Sequence, residues 1–438
     1  MQNYFNELID KLTGTLGSDE FLLANLIGEA SDFVRLNHNR IRQSGNVVQT
    51  DINLDLISGK HHSASSCSLA GDLESDFEQL CSVLNSLREQ LAVLPEDPYL
   101  NYATSVSNTE SIAINQIPDT KQSLDYIMKK AETLDLVGIW ASGEQYHGFA
   151  NSAGQRNWFS KPSFNFDWSV YHKKDKAVKN DYAGFEWQED ILDTKMESTR
   201  EALKVLANPA KQLTPGKYRV YLAPTALNEI LGMTAWGGYG LKSHRTSQTP
   251  LIQMVTGDKK LHESINITEN HKGGLVPGFT SDGFLKPDRV SMIVEGRFNE
   301  CLVNARSAQE FSQRLNSSSE YPNSIELSAG HLKNEDILKT LDTGIYISNL
   351  WYCNFSDRDS CRITGMTRYA CFWVENGKII APINVMRFDE SIYNILGSEL
   401  LSLTSEREFI FDSGSYGFRS NGSANLPGAL VNNFTLTL

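Results

Sequence analysis

The spacing of apolar and polar positions changes several times along the chain. Residues 50–58 alternate strictly, with Ile52, Leu54 and Leu56 set between Asp51, Asn53 and Asp55. A period of two is the mark of a strand buried on one face, and "SGK" (58–60) supplies a turn into "HHSASSCSL". "FLLANL" and "DFVRLNHNRIRQSG" predict earlier strands of the same meander, and "LVGIWASG" a later one. A helical period appears elsewhere. Tyr4, Phe5, Leu8, Ile9 and Leu12 share one helix face, residues 72–94 form a second helix with Asp72 as N-cap, and 119–134 and roughly 189–206 follow.

The Pro- and Gly-bearing "NPAKQLTPGK" then places a domain boundary, giving residues 1–210 and 211–438. Beyond it strand-like runs dominate: "KYRVYLA", "RVSMIVEGRF", "GIYISNL", "ACFWVENGKIIAPINVMRF" and "NNFTLTL". Helical pieces are fewer, at 225–236, 306–314, 334–340 and 389–397, and the polar "NSSSEYPNS" (316–324) reads as a mobile loop. The pattern predicts an α+β fold: an N-terminal mixed α/β domain followed by a mostly antiparallel β C-terminal domain.

Composition narrows the function. Hydrophobic residues make up 40% and charged residues 21%, ordinary values for a globular protein. Forty basic against 53 acidic residues leave a net charge of −13, a surface that repels nucleic acid and anionic lipid. The densest basic stretch, "HKKDKAVKN" (172–180), reads as a solvated loop. The N-terminus has neither a basic start nor a continuous apolar run, and no stretch nears the roughly 18 apolar residues of a membrane span. A cytoplasmic protein with no nucleic-acid or membrane partner is expected.

Candidate chemistry is sparse. None of the six cysteines forms a CxxC, and the spacing of Cys353, Cys361 and Cys371 fits no common zinc framework. His61 and His62 point to opposite faces of a strand, and His244, His262 and His271 would converge only through the fold. Cys371 lies in an apolar strand that would blunt it as a nucleophile. Arg358, Arg362 and Arg368 cluster in "SDRDSCRITGMTRY", either to grip a peptide carboxylate or a partner, or to pair with Asp357 and Asp359. The Gly-rich segments lack nucleotide-binding spacing, and Gly237, Gly238 and Gly240 suggest a bending loop after a helix.

Four stretches taken together resemble the TldD/PmbA family: residues 32–60, "YLAPTALNEILGM" (221–233), "VEGRFNECLVNARSAQEF" (294–311) and 341–383 with its "FWVENGKI". That resemblance implies a two-domain α+β fold and a cytoplasmic peptidase acting on unfolded peptides; modulator of DNA gyrase is an older label for the family. It also implies a heterodimer, in which a TldD-type subunit carries HExxxH and a distant cysteine as zinc ligands. The TldE- or PmbA-type subunit lacks the metal site.

Laid on this chain, HExxxH puts Asn228 and Met233 at the histidines and Glu229 at the glutamate. An amide oxygen and a thioether are poor substitutes for imidazole on zinc. The family's cysteine precedes an "LPVG"-like turn; here the match is "LPGA" (426–429), and "SYGFRSNGSAN" before it holds no cysteine. Glu229 is either a vestigial general base or substrate contact, or a solvated residue early in a helix. The expectation is a subunit with no cofactor of its own, the zinc lying in an HExxxH-bearing partner, or else a self-dimer. The rivals are an autonomous metallopeptidase with relocated ligands and a non-catalytic peptide-binding scaffold.

Overall fold

The computed structural model describes residues 1–173 and 176–438. Among these, α1 (Gln2–Thr13) leads into a seven-stranded sheet made of β1 (Phe21–Asn37), β2 (Arg40–Ser58), β3 (His61–Ser68), β4 (Thr109–Ile112), β5 (Asp135–Asn151), β6 (Arg156–Lys173) and β7 (Lys176–Gly184). Its order is β3-β2-β1-β5-β6-β4, and β7 also pairs with β6. Helices α2 (Leu73–Leu91), α3 (Thr120–Lys130) and α4 (Glu189–Leu206) complete this half. The Asp72 side chain accepts from the Ser75 N–H at 2.9 Å, the cap its sequence implied.

"FLLANL" and the opening "DFVRLN" of the next segment belong to one strand, β1, whose 17 residues turn at His38 and Asn39 into β2, which takes up "RIRQSG". Both turn residues have positive φ, 50° and 52°, the conformation a two-residue hairpin needs. Even-numbered residues of β1 face the helices. Leu22, Ala24 and Leu26 meet Phe5, Leu8, Leu80 and Leu84, while Val34 and Leu36 meet Trp140, Phe164, Phe166 and Trp168. Each such fully buried large side chain is worth about 1.5–3 kcal/mol. The opposite face turns toward the second half of the chain, where Leu23 and Phe149 pack on Phe279.

That second half is a thirteen-stranded sheet: β8 (Gly216–Leu222), β9 (Ile267–Asn270), β10 (Arg289–Val294), β11 (Arg297–Phe298), β12 (Ser324–Leu327), β13 (Gly344–Ile347), β14 (Asn349–Asp357), β15 (Arg362–Arg368), β16 (Phe372–Glu375), β17 (Lys378–Pro382), β18 (Arg387–Ser391), β19 (Leu400–Phe411) and β20 (Ser423–Leu436). Most pairs are antiparallel; β12 with β20 and β13 with β8 are parallel. Helix α5 (Pro224–Ala235) follows β8, and α6 (Leu241–Arg245), α7 (Ile252–Val255), α8 (Ala305–Phe311) and α9 (Ile337–Leu341) are shorter. Polar contacts join the halves. The Gln145 amide donates to the Arg419 carbonyl at 2.8 Å, and the buried Arg419 donates to Ser163 Oγ at 2.9 Å.

Several expectations need correction. Residues 389–391 close strand β18 instead of opening a helix. Glu390 is buried there, and its carboxylate accepts from Asn394 at 2.8 Å and Thr435 at 2.6 Å, bonds that hold it in the sheet. Of 172–180, His172 and Lys173 end β6 and Lys176–Asn180 begin β7, so this stretch is largely a strand pair; Lys174 and Asp175 lie outside the described residues. "LPGA" is part of β20, not a turn. The 316–324 segment is tied down: Asn316 accepts from the Val303 N–H at 2.8 Å, and Glu269 accepts from the N–H groups of Asn323 and Ser324. No helix among the described residues is long and apolar enough to cross a membrane.

Candidate functional site

Helix α5 begins at Pro224, whose fixed φ and missing N–H suit a first helical turn. It stops at a glycine bend. Gly237 has φ of 81°, and a Cβ on Gly238 would sit 2.0 Å from the Thr234 carbonyl oxygen. Between these ends the helix has two faces. Ala226, Leu227, Ile230, Leu231 and Met233 are buried in the main core of the second half. Thr225, Asn228, Glu229, Gly232 and Ala235 follow helical spacing along the other face and line a cleft of about 420 Å³.

The motif positions therefore part company. Asn228 borders the cleft, whereas Met233 is 8% exposed and belongs to the core. An amide at the cleft wall and a thioether in the core do not fit a zinc ion beside Glu229. Water reaches Glu229, yet the crowding of the cleft raises its carboxyl pKa, opposed by the positive charge of Lys179. Among the described residues its carboxylate has no hydrogen-bond partner. Burial, helped by the charge of Glu229, pushes the nearby Cys353 thiol up to about 12.

The facing wall comes from the first sheet. On β6, Phe164, Phe166 and Trp168 turn toward the helices, so Asp167 turns the other way. Asp167 stands directly opposite Asp181 on β7. Lys179 Nζ lies 3.1 Å from Asp167 Oδ2, while Asp181 has no ion pair or hydrogen bond among the described residues. Burial drives the Asp181 pKa up to about 6; the charge of Lys195 works against this, and Glu408 and Asp167 add to it. Lys195 is itself held by Glu408 at 2.7 Å. From the second half, Asn349 at the start of β14 and Asp412 just after β19 also line the cleft.

The arginine cluster does not converge on this cleft, nor does it pair with Asp357 and Asp359. Arg358 donates to the Trp236 carbonyl at 3.0 Å, closing the C-terminal end of α5, and lies over the rings of Phe355 and Trp236. Arg362 is bound to the Asp389 carboxylate and to its carbonyl at 3.0 Å. Arg368 rests 4.8 Å from the Trp351 ring centroid. The histidines also scatter: His62 sits between Asp55 and Asp97, His244 meets the Gly238 carbonyl at 2.7 Å, and His271 meets the Pro287 carbonyl at 2.8 Å. Among the described residues no three His, Cys, Asp or Glu side chains gather as metal ligands.

Asp167, Lys179 and Asp181 were missed from the sequence. The alternation Phe164-Asn165-Phe166-Asp167-Trp168-Ser169-Val170 was a usable signal, since it puts Asp167 on a polar strand face.

Solved structures share the fold. TldE from Thermococcus kodakarensis is 13% identical with a TM-score of 0.79, over 99% of this chain and 100% of that one. A candidate modulator of a DNA gyrase from Thermotoga maritima is 14% identical with a TM-score of 0.76, over 99% and 100%. A candidate modulator of DNA gyrase from Bacteroides thetaiotaomicron is 12% identical with a TM-score of 0.72, over 99% and 98%. No curated protein matches. Residues 215–438, just over half of the chain, match the model of the PmbA/TldA metallopeptidase C-terminal domain, and the chain belongs to the TldD/PmbA family.

Proposed function

We propose that this chain is the TldE-like subunit of a cytoplasmic metallopeptidase complex that processes or degrades unfolded peptides, itself lacking zinc ligands. One observation carries the reading. The helix at the motif position presents Asn228 and an unpartnered Glu229 to a cleft and sends Met233 into the core. A member of a metallopeptidase family with that helix has the cleft without the metal donors. Catalysis then falls to a partner subunit bearing HExxxH, which supplies the zinc and its activated water.

Peptide binding draws on the strands that border the cleft. Among the described residues, β7, carrying Asp181, and β14, beginning at Asn349, each pair with a strand along one side only. A free strand edge offers unpaired backbone N–H and C=O groups to an extended peptide, which gives affinity with little demand on its sequence. Folded substrates, whose backbones are already paired, are excluded by the same rule.

Mixing tests the assignment. The purified chain is combined with an HExxxH-bearing family member from the same host and run on a sizing column. Co-elution, with peptide cleavage lost when the partner's HExxxH glutamate is replaced, supports the reading. A chain that elutes alone at every ratio argues for a scaffold of its own.

A further inference from the structure

Strand β14 carries a bulge where it leaves the cleft. Its pairing with β15 shifts register between Trp351 and Asn354, so that Tyr352 and Cys353 together face Gly365. A Cβ on Gly365 would lie 2.9 Å from the Cys353 sulfur, so the extra residue is accommodated over a glycine. Tyr352 itself has φ of 57°, a left-handed backbone that glycine adopts freely and a bulky aromatic residue rarely does. The turn between β16 and β17 gives such angles to Asn376 and Gly377 instead. Strain of this kind marks places where a side chain is held for use. Tyr352 is 77% exposed, beside Trp351 at 48%, and their ring centroids are 5.6 Å apart. Arg368, on β15 opposite Asn349, lies 4.8 Å from the Trp351 centroid and 5.3 Å from that of Tyr369.

Position ties this aromatic pair to the cleft. Leu350 is buried in the core, so Asn349 and Trp351 point the other way on the alternating strand. Asn349 lines the cleft, and Trp351 stands two residues further, about 7 Å along the strand. We propose that Trp351 and Tyr352 form a shelf that receives an aromatic side chain of a peptide paired along β14, so that the protein prefers peptides bearing Phe, Tyr or Trp. The proposal rests on the peptide-handling reading above and names the side-chain class it favours. Backbone pairing along a strand edge is indifferent to side chains, so the shelf is where selectivity enters. The bulge fixes the direction of Tyr352, and the Arg368 guanidinium braces Trp351. Rings already held in place lose little freedom when a third stacks on them. Aromatic residues are largely buried in folded proteins, so the same preference favours unfolded chains.

The test uses the full chain and unstructured twelve-residue peptides of equal length and charge, carrying two Phe, two Leu or two Gln at the same positions and followed by fluorescence anisotropy. The Phe peptide should bind at least about tenfold tighter than the Gln peptide, with the Leu peptide between them. Trp351→Ala should close most of that gap. Tyr352→Gly should close it as well without lowering the melting temperature, because glycine takes the left-handed backbone unstrained. A merely structural tyrosine would give the reverse, a lower melting temperature with the preference kept. Phe and Gln peptides bound alike overturn this inference and leave peptide handling intact. A Leu peptide held as tightly as the Phe peptide makes the shelf simply apolar and overturns the aromatic preference. A Phe preference that survives in both variants also overturns it, and if those variants no longer co-elute with an HExxxH-bearing family member, the shelf belongs to the subunit interface. No binding of any peptide removes the peptide-handling reading, and this inference with it.

Discussion

Two charged clusters flank helix α5, and they differ in one respect. The arginines beyond its C-terminal end are each occupied: Arg358 on the Trp236 carbonyl, Arg362 on Asp389, Arg368 against Trp351. Two of the carboxylates around its cleft are not: Asp167 takes Lys179 and Asp412 takes the Gly414 N–H, but Asp181 and Glu229 have no donor among the described residues. From the sequence, the arginines and Glu229 each stood as a candidate beside a bland alternative. The structure separates them, because charge density says little until partners are counted. A satisfied charge holds the fold; an unsatisfied one, beside a cleft, is kept at a cost to it.

The comparison can be broken by mutation, and the largest effect should come from neither cluster. Met233→His, which restores a motif histidine, should cost about 2–4 kcal/mol in urea unfolding, because position 233 lies in the core. A variant as stable as the wild type would mean that the helix face is wrongly assigned. Arg358→Ala should cost about 1–2 kcal/mol through the lost carbonyl bond and ring contacts, with peptide affinity unchanged. A loss of peptide binding without loss of stability would move the arginines into the site.

Asp181→Asn should act with the opposite sign and stabilise by up to about 1 kcal/mol at neutral pH, by removing the repulsion from Asp167. Its pH dependence follows from the same group. The folded-state pKa, about 6, lies above the ordinary carboxylate value, so Asp181 favours folding when protonated. That contribution is fully present below the ordinary value and is lost as pH rises through about 6. Melting curves between pH 4 and pH 8 should show this component in the wild type and not in Asp181→Asn. Smallest of all, Glu229→Gln should shift stability by less than about 0.5 kcal/mol, as expected for a water-accessible side chain with no partner.

Much of the fold was legible because it rests on local periodicity. Helix α4 ends where the pattern placed it, α2 starts at its Asp72 cap, and β2 buries Ile52, Leu54 and Leu56 as the alternation required. What escaped depends on distant chain. β6 contains Pro162 and many polar residues, and it is a strand because β5 and β7 pair with both its sides. Residues 389–391 have helix-compatible composition, but bonds from Asn394 and Thr435 to Glu390 outweigh it. At the site, the identities at positions 228, 229 and 233 could be read directly. The facing wall could not, because the pairing of Asp167 with Asp181, and their approach to α5, exist only once the two sheets meet.

In the proposed function the cleft belongs to a metallopeptidase complex while its metal does not belong to this chain. Elemental analysis of the purified protein after incubation with zinc and gel filtration, paired with cleavage of an unfolded peptide with and without chelator, addresses it in one preparation. Zinc should stay well below one ion per chain, with no chelator-sensitive cleavage until an HExxxH-bearing partner is added. Stoichiometric zinc in the lone chain, with cleavage that chelator abolishes and Glu229→Gln removes, would contradict it.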